Sequence, residues 1–279
     1  MSGRTPGGTP HSHDWIPPVV LTIAGFDPSN GAGITADLQV FAAHGLFGTA
    51  CITALTVQST QGVAAVEPVS HLIGSTLEHL NADLPAAGIK IGMLGSVEAV
   101  RAVAGFLREF RKAGVPVVLD PVMRSSSGAR LLSEEGVAAL RAELLPLVDW
   151  ITPNLDELGD LAELPGESAE EALAELRGRF PRLHIIATGG DSDGEAVDKL
   201  LTSEGALHHF GGARIETTST HGTGCAFSSA LLSRLVLGDE PVAAVAAAKM
   251  FVRESLYLAP GLGKGRGPLN LSWRLARMS

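Results

Sequence analysis

The sequence holds only two cysteines, Cys51 and Cys225, among 279 residues. No Cys-x-x-Cys pair exists, which argues against a zinc site. Two reduced thiols in a cytoplasmic protein are the natural reading of such sparse cysteine. Aromatics are scarce too, with three Trp and one Tyr. A platform for stacking the bases of single-stranded nucleic acid has little material. Lys and Arg number 21 against 30 Asp and Glu, and no dense basic block occurs. The net charge of −9 therefore argues against nonspecific attraction to nucleic acid or an anionic membrane. The apolar runs are far too short to span a bilayer. Residues Met1 to Pro18 carry no apolar signal-peptide core and are rich in Gly, Pro, Ser and His. They read as a disordered tail, which accounts for His11 and His13 better than metal binding does.

What is present is a long alternation. Hydrophobic residues make up 45% of the chain, enough for one large α/β domain, placed at residues 19–279 because no linker-like stretch divides them. Strands are expected at Val19–Gly25, Thr49–Val57, Gly88–Met93, Val115–Leu119, Trp150–Thr152 and Leu183–Thr188. Helices are expected at Gly33–His44, His71–Ala82, Val97–Ala113, Glu134–Leu145, Ala169–Arg179, Thr223–Leu237 and Val242–Leu258. Near-continuous apolar strands alternating with helices predict a parallel sheet covered on both faces. Ligands of such sheets collect at the carboxyl ends of the strands.

The residues just past the predicted strands carry the chemistry. Thr220-His221-Gly222-Thr223-Gly224-Cys225 runs into a helical pattern. A glycine turn at a helix start points free N–H groups outward and suits phosphate, although an ordinary turn before a core helix has the same look. Asn154 and Glu157, three apart at a strand-to-helix turn, offer oxygen ligands to a hydrated Mg²⁺ or, alternatively, a helix cap. Asp120, before Pro121, is either a second acid beside the metal or a turn residue. Asp27 either binds substrate or sets the Asp-Pro-Ser turn. Asp37 falls on the first helix and reads as a solvated charge. Gln58 ends an apolar strand, and its amide suits a ring nitrogen paired with an exocyclic amine. Met93 is core filler or ligand wall. Gly31-Ala32-Gly33-Ile34-Thr35-Ala36 matches a dinucleotide fingerprint only weakly, because the next strand ends in Gln58 rather than an acid. No phosphate-binding G-x-x-x-x-G-K-[ST] motif occurs.

Taken in order, these segments resemble the hydroxymethylpyrimidine/phosphomethylpyrimidine kinases of thiamine biosynthesis, a branch of the ribokinase-like superfamily. The matching motifs are Leu21-Thr22-Ile23-Ala24-Gly25 with Asp27-Pro28-Ser29 and Gly31-Ala32-Gly33-Ile34; Ile52-Thr53-Ala54-Leu55 with Gln58; and Lys90-Ile91-Gly92-Met93-Leu94. They continue with Asp120-Pro121-Val122-Met123, Ile151-Thr152-Pro153-Asn154 with Glu157, and Thr220 to Cys225. The resemblance implies a three-layer α/β/α sandwich with a mostly parallel sheet and a small flap over the substrate. It implies ATP- and Mg²⁺-dependent phosphorylation of 4-amino-5-hydroxymethyl-2-methylpyrimidine and then of its monophosphate, in a cytoplasmic homodimer. By motif position, Gln58 would read the aminopyrimidine edge, with Gly25, Asp27, Asp37, Met93 and Val122 lining the pocket. Asn154 and Glu157 would serve Mg²⁺–ATP, with Asp120 near the metal and Thr188 and Gly190 on the nucleotide side. Gly222, Thr223 and Gly224 would supply the anion hole. Cys225 stands where sugar kinases of the superfamily place an aspartate. A thiol at a helix start is expected to have a depressed pKa and to assist deprotonation, or else to be a small packing residue.

Two departures from the family pattern stand out. Thr188-Gly189-Gly190-Asp191 replaces the common Lys-Gly-Gly-His, and Ser126 stands where a lysine is frequent. Arg124 and Lys249 are the cations available to compensate, and the second phosphorylation is the step most exposed to the loss. The glycine-rich stretch Gly261 to Gly267 also matches the family, its plainer reading being a flexible terminus. Pyridoxal or pyridoxine kinase is the nearest alternative activity, and a non-catalytic pyrimidine-binding protein is the alternative from another class.

Overall fold

The computed structural model describes residues 16–125, 128–189 and 196–276. His11, His13, Ser126, Gly190 and Asp191 lie outside the described residues. A nine-stranded sheet runs in the order β3-β2-β1-β4-β5-β6-β7-β8-β9. Its parallel centre comprises β1 (Val19–Phe26), β2 (Phe47–Ser59), β4 (Gly88–Ile91), β5 (Val117–Leu119), β6 (Trp150–Ile151) and β7 (His184–Ala187). The antiparallel members are β3 (Gly62–Pro68) at one end and β8 (Asp198–Leu201) and β9 (Leu207–Phe210) at the other. All six central strands are therefore where the sequence pattern places them. The three antiparallel strands escaped it because they are short or half-exposed and carry charged and histidine residues.

Alternation along the central strands sorts side chains to two faces. Leu21, Ile23, Val117, Leu119, Ile151 and Ile185 pack with the helices α2 (Ile73–Asp83), α3 (Val97–Phe110), α4 (Glu134–Ala139), α5 (Leu155–Ala162) and α6 (Ala169–Arg179). Val20, Val118, Trp150 and Ile186 pack with α1 (Gly33–Ala43), α7 (Thr223–Val236) and α8 (Pro241–Tyr257). A short α9 (Trp273–Ala276) follows. Two apolar layers on one sheet give the three-layer sandwich. Among the described residues, no helix is long and apolar enough to cross a membrane.

Two helices end earlier than their periodicity predicts. α3 is capped by Ser96, whose side chain accepts the Ala99 N–H, and stops at Phe110 rather than Ala113. There Arg111 turns extended and its guanidinium binds the Leu147 carbonyl (2.6 Å) and Asp149 (2.5 Å). The segment expected as one helix over Glu134–Leu145 is α-helical only to Ala139, then loosens to a π turn over Leu140–Leu144 and a 3-10 turn over Leu145–Leu147. Pro146 has no N–H to donate and crowds the carbonyl one turn back, so a regular helix cannot continue into it.

Two features of the sheet position the site. β1 is flanked by β2 on one side and β4 on the other, so the chain reverses its direction of travel across the sheet there. Such a switch point opens a crevice at the carboxyl ends of the strands. β2 also runs on past β1, and its second half pairs with β3 as a hairpin that leaves Leu55 and Val57 exposed. This hairpin is the small flap. Its register shifts between Val57 and Gln58, a bulge that re-aims the side chain at that point.

Candidate active site

Asp27 follows β1 and organises the loop into α1. Its Oδ1 accepts the Ser29 amide (2.8 Å) and hydroxyl (2.7 Å), and its Oδ2 accepts the Gly31 (3.2 Å) and Ala32 (2.9 Å) amides. The carboxylate thus sets the turn. His221 Nε2 reaches the same Oδ2 at 2.8 Å. Burial pushes the Asp27 carboxyl up, but the bonds from His221 and Ser29 outweigh it and hold it below the ordinary carboxylate value. Gln58 brings its amide nitrogen to 2.9 Å from His221 Nε2. Three distant segments therefore meet: the turn after β1, the flap, and the approach to α7. Met93 lies across Gly25, its Sδ 3.2 Å from where a Cβ would stand. Val122 is half-buried just beyond β5.

The glycine turn entering α7 is locked against that first loop. Gly222 takes a φ of +83°, and a Cβ there would come within 1.8 Å of the Gly31 carbonyl oxygen. Only glycine meets both demands. No side chain caps α7, so its first N–H groups remain available, as an anion site requires. Behind the turn, Asp120 stands 3.6 Å from the position of a Gly224 Cβ and accepts the Ser228 hydroxyl at 3.2 Å. Burial raises its carboxyl, against the pull of Lys90.

Beneath this layer lies a buried ion pair. Asp37 is not a solvated charge: it is wholly buried and accepts Lys90 Nζ (2.9 and 3.0 Å), the Thr22 hydroxyl (2.6 Å) and the Ser229 hydroxyl (2.7 Å). It sits on the inward face of α1, beside Ala36 and Val40. Its oxygens are occupied, so it supports the site from below rather than forming its wall. Burial alone would lower Lys90, but the Asp37 carboxylate above all holds it above its ordinary range. Cys225 departs from expectation as well. Burial pushes its thiol up to about 12, although Lys90 and the Gly33 amide oppose this. It keeps partial exposure, yet the surrounding protein outweighs the helix start, and the thiolate is disfavoured near neutral pH.

On the far side, Asn154 caps α5. Its Oδ1 accepts the Glu157 amide (2.8 Å), and Glu157 Oε2 accepts the Asn154 amide (3.0 Å), a complete capping box. Glu157 Oε1 faces the Met123 amide at 3.4 Å, joining the loops after β5 and β6. Thr188 bridges to Asn154, its amide bonded to the Pro153 carbonyl at 2.9 Å. Lys249 is not a free cation. Its Nζ binds Asp198 Oδ2 (2.6 Å) and the Ala196 carbonyl (3.0 Å), while Asp198 Oδ1 accepts the Gly189 amide (2.9 Å). Arg124 is exposed. The stretch Gly261 to Gly267 is not a loose terminus, since Thr60 of the flap receives the Lys264 (3.3 Å) and Gly265 (3.4 Å) amides and Gly267 accepts the His221 amide (3.0 Å).

Residues 27–270 match the family model described as phosphomethylpyrimidine kinase. The hydroxymethylpyrimidine/phosphomethylpyrimidine kinase of Haemophilus influenzae is 39% identical over 93% of this chain and 98% of its own. The chain belongs to the phosphomethylpyrimidine kinase family. Among solved structures, phosphomethylpyrimidine kinase from Clostridium difficile is 35% identical with a TM-score of 0.74, covering 85% of this chain and 98% of its own. Pyridoxal kinase from Staphylococcus aureus, in complex with ADP, is 27% identical with a TM-score of 0.83, covering 92% and 94%. The ribokinase-like fold is thus shared.

Within this family member, Asp27, Gln58, Gly25 and Met93 gather at the β1 switch point, and Gly222 to Cys225 stand beside them. Asn154, Glu157 and Thr188 form a second group, tied to the loop after β5 through Met123, while Asp37 is buried beneath the first and Lys249 is held by Asp198. Two residues escaped the sequence reading as site members, His221 and Lys90. Lys90 carried a usable signal: a lysine inside the fully buried strand Gly88-Ile89-Lys90-Ile91 must find a buried acid.

Proposed function

We propose that this chain transfers the terminal phosphoryl group of ATP to the hydroxymethyl group of 4-amino-5-hydroxymethyl-2-methylpyrimidine and then to the resulting monophosphate. The observation that carries the reading is the uncapped α7 turn, locked through Gly222 onto the same loop whose Asp27 meets His221 and Gln58. An anion hole and an amide reader then share one rigid seat. Bound Mg²⁺–ATP would supply the transferred group and neutralise much of its charge. Asp120 beside the α7 turn, and Asn154 and Glu157 at the start of α5, offer hard oxygens of the kind a hydrated Mg²⁺ takes. Among the described residues, no group of three or more His, Cys, Asp or Glu assembles into a cage, and Mg²⁺ bound with phosphates needs none.

In this reading Gln58 orients the pyrimidine, Gly25, Met93 and Val122 hold its ring, and the Gly222 to Gly224 amides receive developing charge on the moving group. Thr188, with Gly190 beyond it, borders the nucleotide, and Lys249 positions that border through Asp198 and Gly189. With its thiol pushed up to about 12, Cys225 holds little thiolate near neutral pH, so the hydroxyl is activated mainly by its surroundings at the anion hole. The protein acts as one domain over 19–279, in the cytoplasm and as a homodimer. The exposed Leu55 and Val57 of the flap suit burial against a second copy.

Pyridoxal is a second acceptor to consider, because the pyridoxal kinase superposes at the higher TM-score. Product analysis with Mg–ATP, run separately on the pyrimidine, its monophosphate and pyridoxal, tests both readings. Diphosphate from the first two supports the two-step kinase. Monophosphate accumulating alone limits the chain to the first step. Preferential turnover of pyridoxal overturns the pyrimidine reading, and pyrimidine binding without turnover leaves a binding protein.

A further inference from the structure

His221 is buried and held on every side. Its amide donates to the Gly267 carbonyl at 3.0 Å, and Gly31 lies so close that a Cβ there would stand 2.4 Å from His221 Cδ2. Its Nε2 has two neighbours, Asp27 Oδ2 at 2.8 Å and the Gln58 amide at 2.9 Å. Both Asp27 oxygens already accept from the loop, the Ser29 amide and hydroxyl on Oδ1 and the Gly31 and Ala32 amides on Oδ2, so the carboxylate is an acceptor on every side. The proton must sit on His221 Nε2. An Nε2–H cannot also accept from a Gln58 NH₂ group. The amide is satisfied only when its oxygen faces Nε2 and its nitrogen faces Thr56. Thr56 allows this. Its hydroxyl proton goes to the Phe26 carbonyl at 2.9 Å, leaving its oxygen to accept from Gln58 at 3.3 Å. The His221 and Thr56 protons and one Gln58 N–H then each meet an acceptor.

We infer that His221 is a positioning residue whose single Nε2–H, shared between Asp27 Oδ2 and the Gln58 carbonyl oxygen, fixes which way the Gln58 amide faces. The arrangement reads Asp27 carboxylate, His221 N–H, Gln58 carbonyl oxygen, with the Gln58 NH₂ anchored on Thr56. Gln58 and His221 both line a cavity of about 240 Å³ between the flap turn and the Gly265–Arg266 strap. One lone pair of the Gln58 oxygen and one N–H remain for a ligand. They match a heterocycle edge that presents an amine donor beside a ring-nitrogen acceptor. A free amide would rotate to suit other edges. The fixed one selects this class, so His221 determines specificity without touching the reacting atoms. This inference deepens the proposed function and rests on it for the identity of the ligand.

Two experiments on the full chain test it. The first is ¹⁵N NMR of the histidine side chains in the unmodified protein, assigned by comparison with a His221→Phe variant. A protonated Nε2 on His221 is expected across neutral pH. An unprotonated Nε2 overturns the shared-proton arrangement, whatever the substrate proves to be. The second is steady-state kinetics of His221→Phe, which keeps a ring in place but removes the N–H, with His221→Gln as the partial rescue. The expected result for His221→Phe is a KM for the pyrimidine raised tenfold or more, about 1.4 kcal/mol at tenfold. Its kcat should stay within threefold and its KM for Mg–ATP unchanged, with preference over pyridoxal reduced. Equal loss on all acceptors, or a fall in kcat with an unchanged pyrimidine KM, overturns the positioning role. If the unmodified protein turns over no pyrimidine, the proposed function fails, while the NMR result still decides the shared-proton arrangement.

Discussion

The loop after β1 and the loop after β6 each place an acid at a strand end, yet they use it differently. Asp27 spends its carboxylate on four loop donors and His221, welding together residues almost two hundred positions apart. Glu157 spends its carboxylate mainly on its own helix start, three residues away. The first side is rigid because long-range bonds and a buried ion pair beneath it leave no slack. The second side is built from local capping, and its cation, Lys249, is already paired with Asp198. Under the proposed function, the first design suits a reader of a fixed heterocycle and the second a border for a large, charged nucleotide.

The sharpest way to break this contrast is at the joint between the sides. Gly222→Ala forces a side chain onto the Gly31 carbonyl and disturbs the N–H groups of the turn. Phosphoryl transfer should fall about 100-fold or more, the scale of losing one preorganised donor, measured as kcat with saturating substrates. An unchanged kcat would remove the turn from the mechanism.

Next come the two lysines. Lys90→Met leaves Asp37 charged and unpaired in a fully buried site, which should cost about 3–5 kcal/mol in urea unfolding. Adding Asp37→Leu should recover most of that loss. Lys249→Met removes a less enclosed pair and should cost about 1.5–3 kcal/mol. Equal costs for the two would erase the distinction between the sides.

A smaller effect is expected at the cap. Asn154→Ala should lower stability by about 1 kcal/mol and raise KM for Mg–ATP while leaving the pyrimidine KM unchanged. A shift in the pyrimidine KM alone would mean that the two sides are not separate.

The smallest effect at neutral pH concerns the thiols. Cys51 and Cys225 are both pushed up to about 12 by burial, from an ordinary value of 9.0. Folding favours the protonated thiol in each case. That stability is fully present below pH 9 and is lost as pH rises from about 9 toward about 12. Cys51→Ala and Cys225→Ala should each flatten the alkaline decline seen in melting temperature against pH. Slow alkylation of Cys225 by iodoacetamide at pH 8 is the companion result, and rapid alkylation would restore a thiolate role there.

Much of this molecule was legible before its coordinates. The six parallel strands announced themselves because burial on both faces demands unbroken apolar runs. The turn after β1, Gln58, the Asn154–Glu157 pair and the α7 start were expected as strand-end and helix-start positions, and the structure sets them there. The antiparallel strands were not, since β3, β8 and β9 mix polar and apolar residues without a clean period. Asp37 misled because a carboxylate on a helix surface usually faces water, and nothing local reveals a lysine on a strand opposite. Cys225 misled for a similar reason. A helix start lowers a thiol pKa, but desolvation by neighbours remote in sequence outweighed it.

By itself, the sequence determined the order of the layers, the family and which segments approach the crevice, because these follow from periodicity and short-range turn chemistry. Only the tertiary structure decided the charges and the partners. It joined Lys90 to Asp37, turned His221 toward both Asp27 and Gln58, committed Lys249 to Asp198 and raised the Cys225 thiol. Ionisation and hydrogen-bond direction depend on what surrounds a group within a few ångströms, and folding supplies those neighbours from across the chain.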